Sequence, residues 1–172
     1  MWAMMSGALC AKAGSRALSL WTFRGGELSA RAVDRVIADG ETLSLGGVAM
    51  TAHITPGHTP GCTSWSMDVT GADGAPHRAF FHCSATVAGQ SLVPPAYPNI
   101  VADFRATFAR VRDIDADVLL TNHPGFMDME ARRARQLAGD ANAFVDAGAL
   151  DALNDRLEQA FNEELARQSA AQ

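Results

Sequence analysis

Lysine is almost absent from this 172-residue chain. Lys12 is the only one among fourteen basic residues, and Tyr97 is the only tyrosine. The net charge of −5 gives no basic surface, so nucleic acid and anionic membranes are not expected partners. No apolar run is long enough to span a bilayer. The first residues carry no basic side chain before Lys12 and no clear cleavage site, and bulky Leu9 precedes Cys10 where a lipoprotein site would need a small residue. No secretion signal is therefore expected, and the chain as given reads as cytoplasmic. Cysteine is scarce too. Cys10, Cys62 and Cys83 leave one odd, so no disulfide framework is implied, and each reads as a small buried hydrophobe. Repeats and low-complexity runs are missing. Of the five histidines, His53, His58, His77, His82 and His123, no two stand two residues apart and none follows an aspartate.

What is present has the length of one domain. Such a chain can bury about two-thirds of its unfolded surface. Residues 1–30 are ambiguous, an alanine-rich helix being one reading of their start, and strands are expected near 33–37, 41–45, 47–55, 62–69 and 78–84. Residues 71–76 supply a turn, and residues 85–99, with Pro94, Pro95 and Pro98, a loop. Ile100, Phe104, Phe108 and Val111 share one helical face. Residues 117–121 read as a buried strand ending at Asn122-His123, and 127–138 as a helix. Leu150, Leu153, Leu157, Phe161 and Leu165 draw the core stripe of a last helix.

The most informative stretch is Thr55-Pro56-Gly57-His58-Thr59-Pro60-Gly61. It sets one histidine at a strand end, on a loop stiffened by two prolines and shaped by two glycines. The next strand alternates Trp65, Met67 and Val69 against Ser64, Ser66 and Asp68. A histidine so presented suits a metal ligand or a catalytic base.

This loop resembles the third-ligand loop of the metallo-β-lactamase superfamily. The frame Pro-Gly-His-Thr-Pro-Gly is shared by glyoxalases and nucleases of that superfamily. Residues 33–41, Leu45-Gly46-Gly47, and residues 80–88, 97–105 and 117–125 resemble class B, subclass three β-lactamases. Neither Cys83 nor Ser84 is the bridging aspartate of the glyoxalase and nuclease branches, which favours the β-lactamase branch. The likeness implies an α+β fold: an incomplete αββα sandwich whose N-terminal half is largely missing. The expectation is one partial domain over 1–172, with 1–30 poorly matched and 31–172 forming the C-terminal half. Half of a two-sheet sandwich should leave apolar sheet surface uncovered, so self-association through that face is expected.

By resemblance the cofactor is zinc at a two-metal site. His58 corresponds to a ligand of the first metal and His123 to a ligand of the second. Ser84 and Thr86 correspond to a hydroxyl pair that binds the β-lactam carboxylate. The family's His-x-His-x-Asp-His motif has no counterpart here. Zinc favours four ligands, and a catalytic zinc keeps three from protein and one water. The chain alone is therefore expected to be inactive, and no residue of it is assigned as catalytic. Cys83 is an alternative ligand one residue out of register, where a side chain faces the opposite way. Relatives also carry a disulfide whose positions correspond here to Ala116 and Leu150. The implied partner is a β-lactam, and the intact relatives are periplasmic or secreted. A lactone or thioester hydrolase of the same fold, and a non-catalytic fragment that pairs with another chain, are the competing readings. His77 is expected at the surface, and Tyr97 as a loop anchor.

Overall fold

A computed structural model describes residues 35–172 and the backbone of two short antiparallel strands, β1 (Thr22–Phe23) and β2 (Gly26–Glu27). The expected alanine-rich helix lies outside the described residues. Part of the strand expected over 33–37 does as well, and residues 35–37 do not form it. Glu41 explains this locally: its carboxylate takes both the Arg35 guanidinium and the Ala38 amide, which turns the chain before the sheet begins.

The sheet has five strands in sequence order. These are β3 (Thr42–Leu45), β4 (Val48–Ile54), β5 (Thr63–Thr70), β6 (Pro76–His82) and β7 (Val118–Thr121). The first four form an antiparallel meander, and β7 joins parallel to β6. A parallel neighbour needs a crossover, and the connection contains helix α1 (Ile100–Arg112). Gly46 and Gly47, at φ 59° and 85°, make the two-residue turn that pairs Leu45 with Val48.

Register decides what each face carries. Phe80 pairs with Ser66 and Leu119, whereas Phe81 pairs with Trp65 and Leu120. The Phe80 face packs on α1 and on α3 (Ala149–Ala170). Phe104 and Phe108 of α1 meet Phe161 of α3 at ring-centroid distances of 5.0 and 5.6 Å. The apolar stripes read from sequence are buried at Ile100, Phe104, Phe108 and Val111 on one helix and at Leu150, Leu153, Leu157 and Phe161 on the other, whereas Leu165 is partly buried. Helix α2 (Met129–Leu137) buries none of its residues. Ala116 and Leu150 are both buried and line one cavity.

Strand β5 alternates as expected, but its polar side faces the helices. Ser64 and Ser66 are buried, while Trp65 and Met67 are half-buried on the other face. Buried hydroxyls need partners. Ser64 bonds the Thr55 hydroxyl at 2.8 Å and accepts the Cys83 amide at 3.0 Å, and Ser66 bonds His53 Nε2 at 2.8 Å. On the opposite face Trp65, Phe81 and Leu120 form one half-buried cross-strand row.

Cysteine is where parity misled. Cys62 and Cys83 form a disulfide, with Cα atoms 5.9 Å apart. Cys62 precedes β5 and Cys83 follows β6, so the pairing of these strands brings the two ends together. An odd total says nothing against one local bridge. The bond also removes Cys83 from consideration as a metal ligand.

Candidate metal-ligand site

Strand β4 ends at Ile54 and hands the chain to the His58 loop, which β5 takes up at Thr63. Three consecutive carbonyls of this loop are capped by side chains from elsewhere. The Thr107 hydroxyl of α1 donates to Pro56 O at 2.6 Å, and the Tyr97 hydroxyl to Gly57 O at 3.0 Å. Gln90 Nε2 donates to His58 O at 2.9 Å and to Val87 O at 3.1 Å. Burial, with Asp103 nearby, raises the Tyr97 hydroxyl above its ordinary pKa, so it stays a donor. Gly57 sits at φ 136°, and a Cβ there would lie 2.8 Å from the Phe104 ring. Only glycine fits that approach.

The His58 ring is fixed as well. Its Nδ1 lies 2.8 Å from Thr86 O and 3.2 Å from the Thr86 hydroxyl. A carbonyl only accepts, so Nδ1 carries the hydrogen, and in the neutral ring Nε2 keeps its lone pair. This is how outer hydrogen bonds orient a ligating imidazole. Ser84 Oγ stands 3.2 Å from Thr86 Oγ1 and 3.3 Å from the Thr86 amide. Ser84, Thr86 and His58 thus form one hydrogen-bonded chain, with Ser84 buried and the other two half-buried.

His123 is held differently. It follows β7 and precedes a short 3-10 turn, Pro124–Met127. The residue is exposed, and its ring meets Phe126 edge-on at 5.6 Å. Its carbonyl accepts from the Thr121 hydroxyl at 2.7 Å.

The other histidines make different contacts. His82 packs against Phe80 with centroids 6.0 Å apart, and burial pushes its pKa down to about 4. Its buried Nδ1 has no partner among the described residues. His53 meets Phe80 edge-on, and burial lowers its pKa too. His77 is not a surface residue: its side chain is 10% exposed, and Nδ1 lies 2.6 Å from Asp117 Oδ2. That contact joins β6 to the start of β7, and sequence alone could not show a pairing across forty positions.

Gln90 and Thr107 were invisible in the sequence because they reach the loop across 32 and 51 positions. Tyr97 is the anchor its place after the prolines suggested. Among the described residues, no group of three or more His, Cys, Asp or Glu side chains is placed to hold a metal ion. His58 fits the part of one imidazole ligand. The described donor set does not fit a complete zinc site.

The sheet with its helices on one face is similar to solved structures. BJP-1, a subclass B3 metallo-β-lactamase of Bradyrhizobium japonicum, is 42% identical with a TM-score of 0.78, over 84% of this chain and 55% of its own. This is part of a metallo-β-lactamase fold. FEZ-1, the metallo-β-lactamase of Legionella gormanii, is 32% identical with a TM-score of 0.76, over 83% of this chain and 55% of its own. A probable metallo-hydrolase of Burkholderia pseudomallei is 40% identical over 77 residues, which is 45% of this chain and 24% of that protein. No family model matches. The chain thus spans about half the length of the solved metallo-β-lactamases and about a quarter of the metallo-hydrolase.

Proposed function

We propose that this chain supplies one part of a zinc-dependent β-lactam hydrolase site and is not competent alone. The observation that carries this reading is the pose of His58, with Nδ1 committed to Thr86 and no hydrogen-bond partner on Nε2 among the described residues. His58 would serve one metal and His123 the other. Zinc held by these imidazoles together with ligands from another polypeptide would supply Lewis-acid chemistry. The task of this chain is to hold its imidazoles in the right tautomer and pose. Ser84 and Thr86 are the candidate contacts for a substrate carboxylate, and Thr86 also orients His58. Support for a β-lactam over other substrates comes from the relatives, among them the subclass B3 metallo-β-lactamase BJP-1 at 42% identity.

The test is to assay the purified chain with zinc, alone and mixed with a polypeptide carrying His-x-His-x-Asp-His. A carbapenem, a cephalosporin, a lactone and a thioester are the substrates. The expected result is no turnover alone, and β-lactam turnover in the mixture that His58→Ala abolishes. His58-dependent turnover by the chain alone would overturn the need for a partner. Turnover confined to the lactone or thioester would replace the substrate class. No turnover with any substrate in the mixture, despite complex formation, would leave the chain a non-catalytic binding half.

A further inference from the structure

The loop after β6 grips His58 at two points. Thr86 holds the ring, and Gln90, four residues on, holds the His58 backbone carbonyl. Gln90 uses both amide hydrogens in doing so, on His58 O and Val87 O. The Gln90 backbone carbonyl in turn accepts from Gln168 Nε2, in the last turn of α3, at 2.9 Å.

Gln168 is an unusual residue for the end of a surface helix, because its amide is saturated. Nε2 donates to Gln90 O and to Glu164 Oε1 at 2.7 Å. Oε1 accepts the amides of Leu92 and Val93 at 2.6 and 3.0 Å. A primary amide offers two donor hydrogens and two lone pairs, and all four are used. Gln172, beyond the helix, adds a bond to Val93 O at 3.1 Å. A long polar side chain loses rotamer freedom on being fixed, so four simultaneous bonds mark a defined position.

We propose that Gln90 and Gln168 are positioning residues for His58, forming a relay from the end of α3 through residues 90–93 to the ligand loop. The relay sets both the backbone and the ring of His58 before any metal arrives. It rests on the reading of His58 as the ligand this loop presents, and it deepens that reading by naming what holds the ligand ready.

The test uses the full chain, metal-free and 15N-labelled, with His58→Ala to assign the ring. Long-range 1H–15N spectra report which ring nitrogen carries the hydrogen, and hydrogen exchange reports the amides of the loop. Gln90→Leu keeps the bulk and removes both donors. The expected result is a mixed His58 tautomer and exchange about tenfold faster at Gly57, Cys62 and neighbouring loop amides. Gln168→Leu should move the same signals in the same direction by a smaller factor, with faster exchange at Leu92 and Val93. It also serves if Gln90→Leu fails to fold. Gln168→Leu that loosens Leu92 and Val93 while the His58 signals stay fixed would overturn the relay, as would a His58 tautomer unmoved in Gln90→Leu. No result depends on zinc or turnover. A chain that shows the tautomer response but no activity with its complement would sink the proposed function and leave the relay standing.

Discussion

His58 and His123 sit at two loops of one sheet, yet they are prepared in opposite ways. The His58 loop has three successive carbonyls capped by Thr107, Tyr97 and Gln90, its ring bonded to Thr86, and a disulfide at its exit. His123 is exposed, its ring meeting one aromatic edge and its backbone bonded by Thr121. The first loop is part of the folding core, since Gly57 lies against Phe104 and Thr107 belongs to the buried face of α1. The second is an addition to the end of β7. Changes at the first should therefore cost stability, while changes at the second should cost only what a ligand would have gained.

The sharpest way to break this contrast is Gly57→Ala. A Cβ would meet the Phe104 ring at 2.8 Å, and alanine is strained at φ 136°. Overpacking and backbone strain together predict a loss of about 4 kcal/mol, read from the urea midpoint. A loss below about 1 kcal/mol would show the loop free to shift, and the contrast with His123 would collapse.

Opening the Cys62–Cys83 bridge by a double change to alanine comes next. The two residues are 21 apart, and closing a loop of that length is worth about 3 kcal/mol in the chain-entropy account. If the His58 loop depends on the bridge, its amides should lose more exchange protection than those near His123. Equal loss at both loops would make the bridge a general fastener.

Both of these features show what the sequence could and could not disclose. The strands from 42 to 82 and the stripes on α1 and α3 follow from periodicity, because burial of one face imposes a period on the chain. Pro-Gly-His-Thr-Pro-Gly announced a fixed histidine through its own backbone limits. The disulfide escaped because parity does not locate a bridge; only the pairing of β5 with β6 brings Cys62 to Cys83. The caps escaped for a related reason. Gln90 and Thr107 reach the loop from 32 and 51 positions away, and no local pattern encodes such a contact. His77 escaped because Asp117 is its neighbour only after β7 joins β6.

Acid should act between the two loops. His82 ends β6, pairs with Thr121 of β7 and is 5% exposed. Its pKa is pushed down to about 4 by burial, against an ordinary 6.5. The unfolded chain takes up the proton near pH 6.5, and the folded chain only near pH 4. Stability is thus intact above about pH 6.5, erodes as the pH falls toward 4, and loses no more from this group below that. The difference of about 2.5 pKa units corresponds to about 3 kcal/mol. This is the full effect at the acid end, so the loss at pH 5.5 is smaller, about 1 kcal/mol. His82→Phe should flatten the pH dependence of the urea midpoint over that range. His53, whose pKa burial also lowers, would leave a residual slope of the same sign. An unchanged slope in His82→Phe would show that the buried ring is not what acid attacks.

The smallest change should be the most telling. Tyr97→Phe removes one donor from Gly57 O, and a single buried hydrogen bond is worth about 1 kcal/mol. His123→Ala removes an exposed ring whose recorded neighbour is Phe126, and surface changes of that kind stay within about 0.5 kcal/mol. Measured side by side, the two changes separate a fixed loop from a free one more cleanly than any large disruption, because neither disturbs the core. If His123→Ala cost as much as Tyr97→Phe, the His123 loop would hold hidden support, and both histidines would count as fixed in advance. The expected ordering instead makes the His58 loop one that the fold fixes and the His123 loop one that it leaves free.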